Sequence, residues 1–183
     1  MSLAADARAE LESWRAPDGG QEQLRRTMLR HLAAYPDAMR RTCVPGHLTA
    51  SAAILDPAGR ATVLTLHAKA GLWLQTGGHC EDGDATLQEA ALREAREESG
   101  IADLRILPGP VQLDVHPVAF CAGGTQHLDV RYAVVAPEGA ALQADPGESA
   151  DLAWFGVDAL PEKTDHSVTT LVAAASAAVR TAA

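Results

Sequence analysis

Residues 77–101 read GGHCEDGDATLQEAALREAREESGI, and this stretch organises our interpretation of the whole chain. Its second half is predicted to be a helix with well-defined ends. Thr86 and Glu89 have the spacing of a capping box, in which each residue satisfies a free backbone donor at the start of a helix. Gly100 stands where a left-handed cap is expected at the end of the helix. The preceding segment contains three glycines, so it can fold tightly or bring backbone close to a ligand.

Three carboxylates share one face of this predicted helix. Glu94 precedes Glu97 by three residues and Glu98 by four, which is the spacing of neighbours on a helical surface. Like charges at this spacing destabilise an isolated helix by a few tenths of a kcal/mol per pair, so we expect a counterion. Oxygen ligands without thiolates suit Mg²⁺ or Mn²⁺. The alternative is an ordinary surface helix with a solvated acidic face.

Together these residues resemble the Nudix box, Gx5Ex7REUxEExGU, in which U is a bulky aliphatic residue. Residues 93–101, REAREESGI, match its second half, with Ala95 at the first U position, and Gly78 matches the opening glycine. Asp84 stands where the family has its first glutamate, and eight residues rather than seven separate it from Arg93. An insertion costs little in a loop, so we expect the extra residue to be absorbed before the helix begins.

The resemblance implies a divalent-metal-dependent hydrolase. Its expected reaction is attack of water on phosphorus, which cleaves a diphosphate linkage in a nucleoside diphosphate derivative or a similar organic diphosphate. Mg²⁺ or Mn²⁺ is the implied cofactor, with Glu94, Glu97, Glu98 and Gly78 as its implied ligands. Arg93 is expected to pair with carboxylates of the box and hold the helix against its loop. The general base stays open between Glu98 and Glu148, so the implied catalytic set is Glu98, Glu97, Arg93 and Glu148.

Two other classes of function remain as alternatives. A non-catalytic module that binds a nucleotide or another ligand is one, although such modules often lose carboxylates of the box and all three are present here. The second is an enzyme resembling an isopentenyl diphosphate isomerase, which would need a cysteine and a glutamate facing an apolar pocket. Cys80 is the candidate cysteine. A panel of nucleoside diphosphate derivatives would separate these classes by activity.

Composition and charge exclude several partners. The formal net charge of −9 argues against a nucleic acid or an anionic membrane surface as a partner. The cysteines Cys43, Cys80 and Cys121 form no CxxC pair, so neither a disulfide framework nor a cysteine zinc site is indicated. No apolar run approaches the length of a membrane span, and no signal segment is recognisable. We therefore expect a cytoplasmic protein that acts on a small-molecule diphosphate.

The chain divides into three predicted parts. Residues 1–44 form an N-terminal helical extension, residues 45–162 the Nudix hydrolase domain, and residues 163–183 a C-terminal helix packed on the same domain. The extension contains helices at about residues 3–15 and 21–34. In the second helix Leu24, Met28, Leu32 and Tyr35 form an apolar stripe that is predicted to pack on the flank of the domain. A homodimer contact or a lid over the substrate is the alternative.

The remaining pattern predicts an α/β fold. Strands are expected at residues 47–56, 61–67, 104–107, 111–120, 126–136 and 152–155, with helices before, between and after them. The resemblance implies the same class, a Nudix-like α/β/α sandwich with a mixed β-sheet and the N-terminal helical extension. Gly123-Gly124 is predicted to be the turn between two of the strands.

Two of these strands have a polar face that is a candidate substrate cleft. His116 in one strand, and His127, Asp129 and Arg131 in the other, alternate with apolar residues. Arg131 offers two-pronged recognition of phosphate, and histidine binds phosphate when charged or a metal when neutral. The predicted substrate-binding residues are Arg131, His127, Asp129, His116, His47 and Lys69. The alternative is a structural salt-bridge ladder away from the carboxylate helix.

Overall fold

Strand β1 (Gly46–Leu55) is buried along its whole length, and the sheet is built around it. Its small and β-branched residues allow helices to pack closely on both of its faces. The strand ends at a turn in which Gly59 adopts a left-handed φ of 63°, a conformation that glycine adopts without steric cost. The computed structural model describes residues 2–118, 125–143 and 149–182, with only the backbone of residue 149.

Two helices precede the described strands, one helix lies between two groups of four strands, and one helix follows the last strand. Around β1 and in chain order they are α1 (Leu3–Ser13), α2 (Gly19–Ala34), β2 (Ala61–His67), β3 (Trp73–Leu74), β4 (Thr76–His79), α3 (Leu87–Ser99), β5 (Arg105–Ile106), β6 (Gln112–Pro117), β7 (Gln126–Val135), β8 (Ser149–Gly156) and α4 (His166–Ala182).

The sheet is mixed. β1 runs parallel to β7, with His47 opposite His127 and Ser51 opposite Arg131. On its other edge β1 pairs antiparallel with β4 near its start and with β2 near its end. β3 and β8 extend the sheet beyond β2, while β5 and β6 extend it beyond β7.

Helices cover both faces of the sheet. One face of β1 carries Leu48 and Ala50, which share a hydrophobic cluster with residues of α1, α2 and α3. The next residues along the strand point to the opposite face, where Ala53 and Leu55 pack with Leu171 of α4. The predicted α/β/α sandwich with a mixed sheet and N-terminal helices is therefore confirmed.

Helix α1 contacts the start of helix α3 through polar side chains. Asp6 Oδ2 accepts a hydrogen bond from the backbone N–H of Leu87 at 3.1 Å. The Glu10 carboxylate accepts bonds from the hydroxyl of Tyr132 at 2.5 Å and from the Gln88 amide at 2.9 Å. These contacts attach the N-terminal helix to both the sheet and the carboxylate helix.

The apolar stripe of helix α2 packs against the rest of the same chain. Met28 and Leu32 are buried in the same cluster as Leu48, and Leu24 and Tyr35 pack against it when partly buried. This is the predicted flank packing, whereas the homodimer stays a prediction. The division at residues 44 and 162 also stays a prediction.

Among the described residues, no helix is both long and apolar enough to cross a membrane. The predicted turn at Gly123-Gly124, the candidate base Glu148 and Cys121 lie outside the described residues.

Candidate active site

Helix α3 presents the carboxylates because its ends are fixed and its other face is buried. Thr86 Oγ1 accepts a hydrogen bond from the N–H of Glu89 at 3.0 Å, and Gly100 closes the helix with a φ of 71°. The reciprocal bond differs from the predicted capping box, because Glu89 accepts from Ala85 N–H, one residue before the cap. The helix begins after Asp84, so the extra residue of the box lies in the loop, as predicted.

Arg93 connects the carboxylates of this helix. Its Nη1 donates to Glu94 Oε1 at 2.9 Å and to Glu97 Oε2 at 3.0 Å. One guanidinium therefore offsets part of the repulsion between two like charges. With Glu98 included, three carboxylates still exceed the single positive charge of Arg93. The remaining negative charge favours a cation at this face.

Asp84 in the preceding loop is a further hydrogen-bond partner of the Arg93 guanidinium. The guanidinium donates from Nε and Nη2 to the two oxygens of Asp84 at 3.1 and 3.0 Å. Burial is the largest single effect and would raise the pKa of Asp84, but the hydrogen bonds and the charge of Arg93, together with a backbone hydrogen bond from Glu81, hold this pKa below its usual value. The pKa of Arg93 is raised, mainly by the bond to Asp84. Asp84 thus fixes the loop against the helix.

The backbone of β4 lies directly beneath the carboxylates. The N–H of Gly77 donates to Glu98 Oε1 at 2.8 Å, and Glu98 is only 7% exposed. A Cβ placed on Gly78 would stand 2.6 Å from Glu94 Oε1. The adjacent carbonyl of His79 accepts a bond from Arg93 Nη2 at 3.0 Å. A strand of small residues at this point lets the helix approach closely.

Asp129 and Arg131 form a buried polar network on the opposite face of the sheet. Asp129 accepts hydrogen bonds from Thr49 Oγ1 at 3.0 Å, from Ser51 Oγ at 2.7 Å and from Arg131 Nε at 2.7 Å. Arg131 is 2% exposed. The charges of the pair therefore neutralise each other inside the protein.

Arg131 also donates to three other residues. It bonds to Asp114 Oδ2 at 3.0 Å, to Gln112 Oε1 at 3.1 Å and to Ser167 Oγ, near the start of α4, at 3.2 Å. These bonds use N–H donors of the guanidinium and connect β6, β7 and α4. The substrate-binding role of Arg131 and Asp129 stays a prediction, and the described contacts are those of the ladder alternative.

Four histidines gather beside this network. The rings of His47, His79 and His127 have centroids 4.9–5.0 Å apart, and the ring of His116 lies 5.6 Å from that of His127. His79 was not among the predicted site residues. The sequence signal for it is its position directly after Gly78, but a segment with three glycines in seven residues predicts a loop rather than a strand.

Burial keeps the rings of His47, His79 and His127 uncharged at neutral pH. It lowers the pKa of His79 to about 4 and that of His127 to about 3, with neighbouring histidines adding to the effect. The pKa of His47 is also lowered, chiefly by burial. A neutral imidazole lacks the charge that attracts phosphate. The predicted substrate-binding roles of His47, His116 and His127 stay predictions, and for His47 and His127 they would have to rely on neutral rings.

The structure thus places the predicted site residues in two groups separated by the sheet. Arg93, Glu94, Glu97, Glu98 and Gly78 meet at the interface of α3 and β4. The histidines, Asp129 and Arg131 lie on the other face. Lys69 is exposed in the turn between β2 and β3. Glu148 is outside the described residues.

Comparison with known proteins identifies the class to which this fold and carboxylate helix belong. The NUDIX domain family matches residues 45–173 of the chain. No curated protein matches the sequence. A NUDIX-family hydrolase from Clostridium perfringens shares 22% identity over 75% of this chain and 98% of its own, with a TM-score of 0.59. An Ap4A hydrolase from C. elegans shares 19% identity over 72% and 96%, also at 0.59.

A third solved structure also has a similar fold. The E. coli dihydroneopterin triphosphate pyrophosphohydrolase shares 16% identity, covers 68% of this chain and 91% of its own, and gives a TM-score of 0.56. At these identities the likeness concerns the fold. The family match covers most of the chain, and the protein therefore belongs to the NUDIX family. The resemblance found in residues 78–101 is confirmed, as is a Nudix-type hydrolase as its enzyme class.

Proposed function

We propose that the protein is a divalent-metal-dependent hydrolase that cleaves a diphosphate linkage in a nucleoside diphosphate derivative or a similar organic diphosphate. The observation that carries this proposal is the set of three carboxylates on one face of α3, held by Arg93 and by the backbone of β4. The named functions of the structural neighbours support the substrate class, because an Ap4A hydrolase and a dihydroneopterin triphosphate pyrophosphohydrolase both act on phosphoanhydrides.

The carboxylate set fits the implied metal. Glu94, Glu97 and Glu98 offer oxygen atoms only, which hard cations such as Mg²⁺ and Mn²⁺ prefer. The absence of a side chain on Gly78 lets the Glu94 carboxylate lie directly against the backbone of β4. These residues would hold the ion, with the backbone of Gly78 as a further candidate ligand. A divalent ion bound there would neutralise phosphate oxygens, lower the pKa of a water molecule and stabilise the leaving phosphate.

The residues of the chain supply orientation and proton transfer. Arg93 fixes one oxygen of Glu94 and one of Glu97, and the Gly77 N–H fixes one oxygen of Glu98. In the reaction the water oxygen forms a bond to phosphorus, the anhydride P–O bond breaks, and the water proton passes to a carboxylate. Glu98 and Glu148 remain the two candidates for that base. Their pH–rate profiles will separate them, because loss of the base removes the acidic limb.

The structure gives less support to the two alternative classes. An isomerase would need Cys80 as an acid–base group, but burial raises the pKa of this thiol to about 12, and Cys80 packs against the hydrophobic cluster beneath α3. A non-catalytic module would not need the arrangement of Arg93 around intact carboxylates. Lack of turnover on every substrate would favour the binding module.

The test is a phosphate-release screen. A panel of nucleoside diphosphate derivatives and other organic diphosphates is incubated with Mg²⁺ or Mn²⁺, and added phosphatase converts the monophosphate products to free phosphate. At least one substrate should be hydrolysed. Glu97→Gln and Glu98→Gln should each lower turnover by about 10² or more, the scale seen when one preorganised catalytic group is lost.

The matched control is Glu162→Gln, which changes an exposed glutamate between β8 and α4. It should keep full activity. Undiminished activity in both box variants, or full activity in excess chelator, would overturn the proposed function.

A further inference from the structure

The face of the sheet opposite α3 carries a second cluster of potential ligands, made of His47, His79 and His127. The strand register brings them together. His47 is directly opposite His127 in the parallel pair of β1 and β7. His79 is opposite Thr49 in the antiparallel pair of β1 and β4. Thr49 and His47 are two residues apart, so all three histidine side chains project from the same face.

Their nitrogen atoms are close enough to converge. Each histidine offers one ring nitrogen, and the three nitrogens lie within 4.8 Å of one another. A shared ion with bonds of about 2.0–2.1 Å to imidazole would require only a modest contraction of the cluster. Because β1 is hydrogen-bonded to both β4 and β7, the backbone already holds the three rings side by side.

His47 supplies an independent sign that a ligand is missing from this cluster. Its ring is 0% exposed, and neither Nδ1 nor Nε2 makes a hydrogen bond of standard geometry among the described residues; the backbone of Cys43 makes only a weaker polar contact with the ring. Buried polar nitrogens without a partner are uncommon in native proteins because their desolvation is uncompensated. A metal bond to one nitrogen would remove part of that cost. His79 and His127 are half-buried, so an ion can reach the cluster from outside.

The chemistry of the rings matches a particular group of metals. Metal ligation needs the neutral imidazole, and a ring that is removed from water favours this uncharged form. Imidazole ligands suit Zn²⁺, Cu²⁺ and Ni²⁺, whereas Mg²⁺ prefers oxygen. Three histidines also leave a coordination position for water or another ligand.

We propose that His47, His79 and His127 form a binding site for a divalent transition-metal ion, with Zn²⁺ as the expected occupant. This site is separate from the carboxylates of α3 and does not depend on the proposed hydrolase activity. It joins β4, β1 and β7 at the point where the His79 carbonyl accepts a hydrogen bond from Arg93. A metal held by the His79 side chain therefore fixes the strand that supports the Nudix box from the opposite face.

The experiment uses the full chain, first stripped of metal with a chelator and then kept in excess Mg²⁺ so that the carboxylates are occupied. Co²⁺ is titrated as a spectroscopic probe, and Zn²⁺ is then added as a competitor. The expected result is one Co²⁺ per chain with the visible absorption of a nitrogen-rich, low-coordinate site, which Zn²⁺ displaces. Zn²⁺ alone should also raise the melting temperature.

Variants assign the binding to the cluster. His79→Gln and His127→Gln are preferred to changes at fully buried His47, and far-UV circular dichroism checks that each variant is folded. Each should weaken Co²⁺ binding by at least about 10-fold, the loss seen when even a hydrogen-bond partner of a ligand is removed. His67→Gln, a half-buried histidine at the end of β2, is the control and should bind as the wild type does.

A second control changes the carboxylates of α3 and leaves the histidines intact. The double variant Glu97→Gln/Glu98→Gln should keep its Co²⁺ spectrum if the histidines hold the ion. The proposal is overturned if wild type takes up neither Co²⁺ nor Zn²⁺ in excess Mg²⁺. It is equally overturned if folded His79→Gln and His127→Gln bind Co²⁺ as tightly as wild type, or if binding disappears in the double carboxylate variant. In those cases the rings form only an aromatic cluster.

Discussion

The carboxylate of Glu94 occupies the space that any side chain on Gly78 would need. The nearest carboxylate oxygen is 2.6 Å from the ideal Cβ position, and the other atoms of the group are almost as close. This contact explains in steric terms why the position opening the box is a glycine. It also means that the distance between β4 and α3 is set by the absence of one methyl group.

Gly78→Ala should therefore displace Glu94 and lower turnover by about 10², the cost expected when a catalytic group is misplaced by about 1 Å. The melting temperature should fall less than activity does, because the new methyl group lies at the edge of the core. Gly83→Ala is the matched control, since a Cβ there meets nothing within 4 Å. Steady-state kinetics of folded protein check the prediction, and equal activity in the two variants would contradict it.

Asp84→Asn should destabilise the loop before α3. The aspartate is paired with Arg93 through two hydrogen bonds, and its side chain is 6% exposed. Replacing the carboxylate with an amide removes charge-assisted bonds worth about 1.5–3 kcal/mol. Urea denaturation should show a loss of this order. Asp82→Asn, at a side chain that is 88% exposed, should change the unfolding free energy by less than about 0.5 kcal/mol. A similar small change at both positions would argue against the Arg93 pairing.

Arg131→Ala distinguishes the structural ladder from the predicted substrate cleft. The structure favours the ladder, so the expected result is a loss of about 3–5 kcal/mol of stability, because Asp129 would be left buried without its partner. Kinetic constants per folded molecule should stay unchanged. Arg60→Ala, at an exposed arginine, is the control. A raised Michaelis constant with an unchanged melting temperature would instead establish Arg131 as a substrate ligand.

Glu10→Gln should change how stability depends on pH. Burial raises the pKa of Glu10 above 4.5, although hydrogen bonds from Tyr132 and Gln88 act in the opposite direction. The folded state therefore binds more protons than the unfolded state between pH 4.5 and the folded pKa. In that window the unfolding free energy of wild type falls as pH rises. The variant lacks this titrating group. The melting temperature of the variant minus that of wild type should therefore increase as the pH rises from 4.5 to the folded-state pKa of Glu10.

Thermal denaturation over a pH series at constant ionic strength measures this difference. The control is Glu12→Gln in the same helix, where the side chain is 57% exposed. Its difference from wild type should not grow over the same range. A relative melting temperature for Glu10→Gln that falls with rising pH would show the sign to be wrong.

Local signals predicted the carboxylate helix well because they lie within a few residues of one another. Thr86 and Gly100 bound the helix as expected, and the extra residue of the box lies before it. The alternation in β6 and β7 also predicted correctly which side chains share a face. The spacing of apolar residues and the identity of capping residues are local features of the sequence. They can therefore be recognised without knowing which strands pair.

The histidine cluster could not be predicted in the same way. His47 and His127 were each noticed in a strand, but their proximity depends on the parallel pairing of β1 with β7. His79 was missed because a short strand with two glycines looks like a loop. The sequence likewise does not decide the role of Arg131, because its partners on β6 and α4 are distant in sequence. Long-range pairing decides these contacts, and a single sequence does not specify it.

The first helix of the chain contributes to the start of the helix that carries the carboxylates. Asp6 accepts the backbone N–H of Leu87, and Ala7 and Leu11 belong to the same buried cluster as Leu87 and Tyr132. We therefore expect residues 45–173 to be less stable when they are expressed without residues 1–44. A chain cut before Pro45 would expose apolar side chains to water and leave the first turn of α3 without this acceptor. Engineered boundaries should keep α1 joined to the rest.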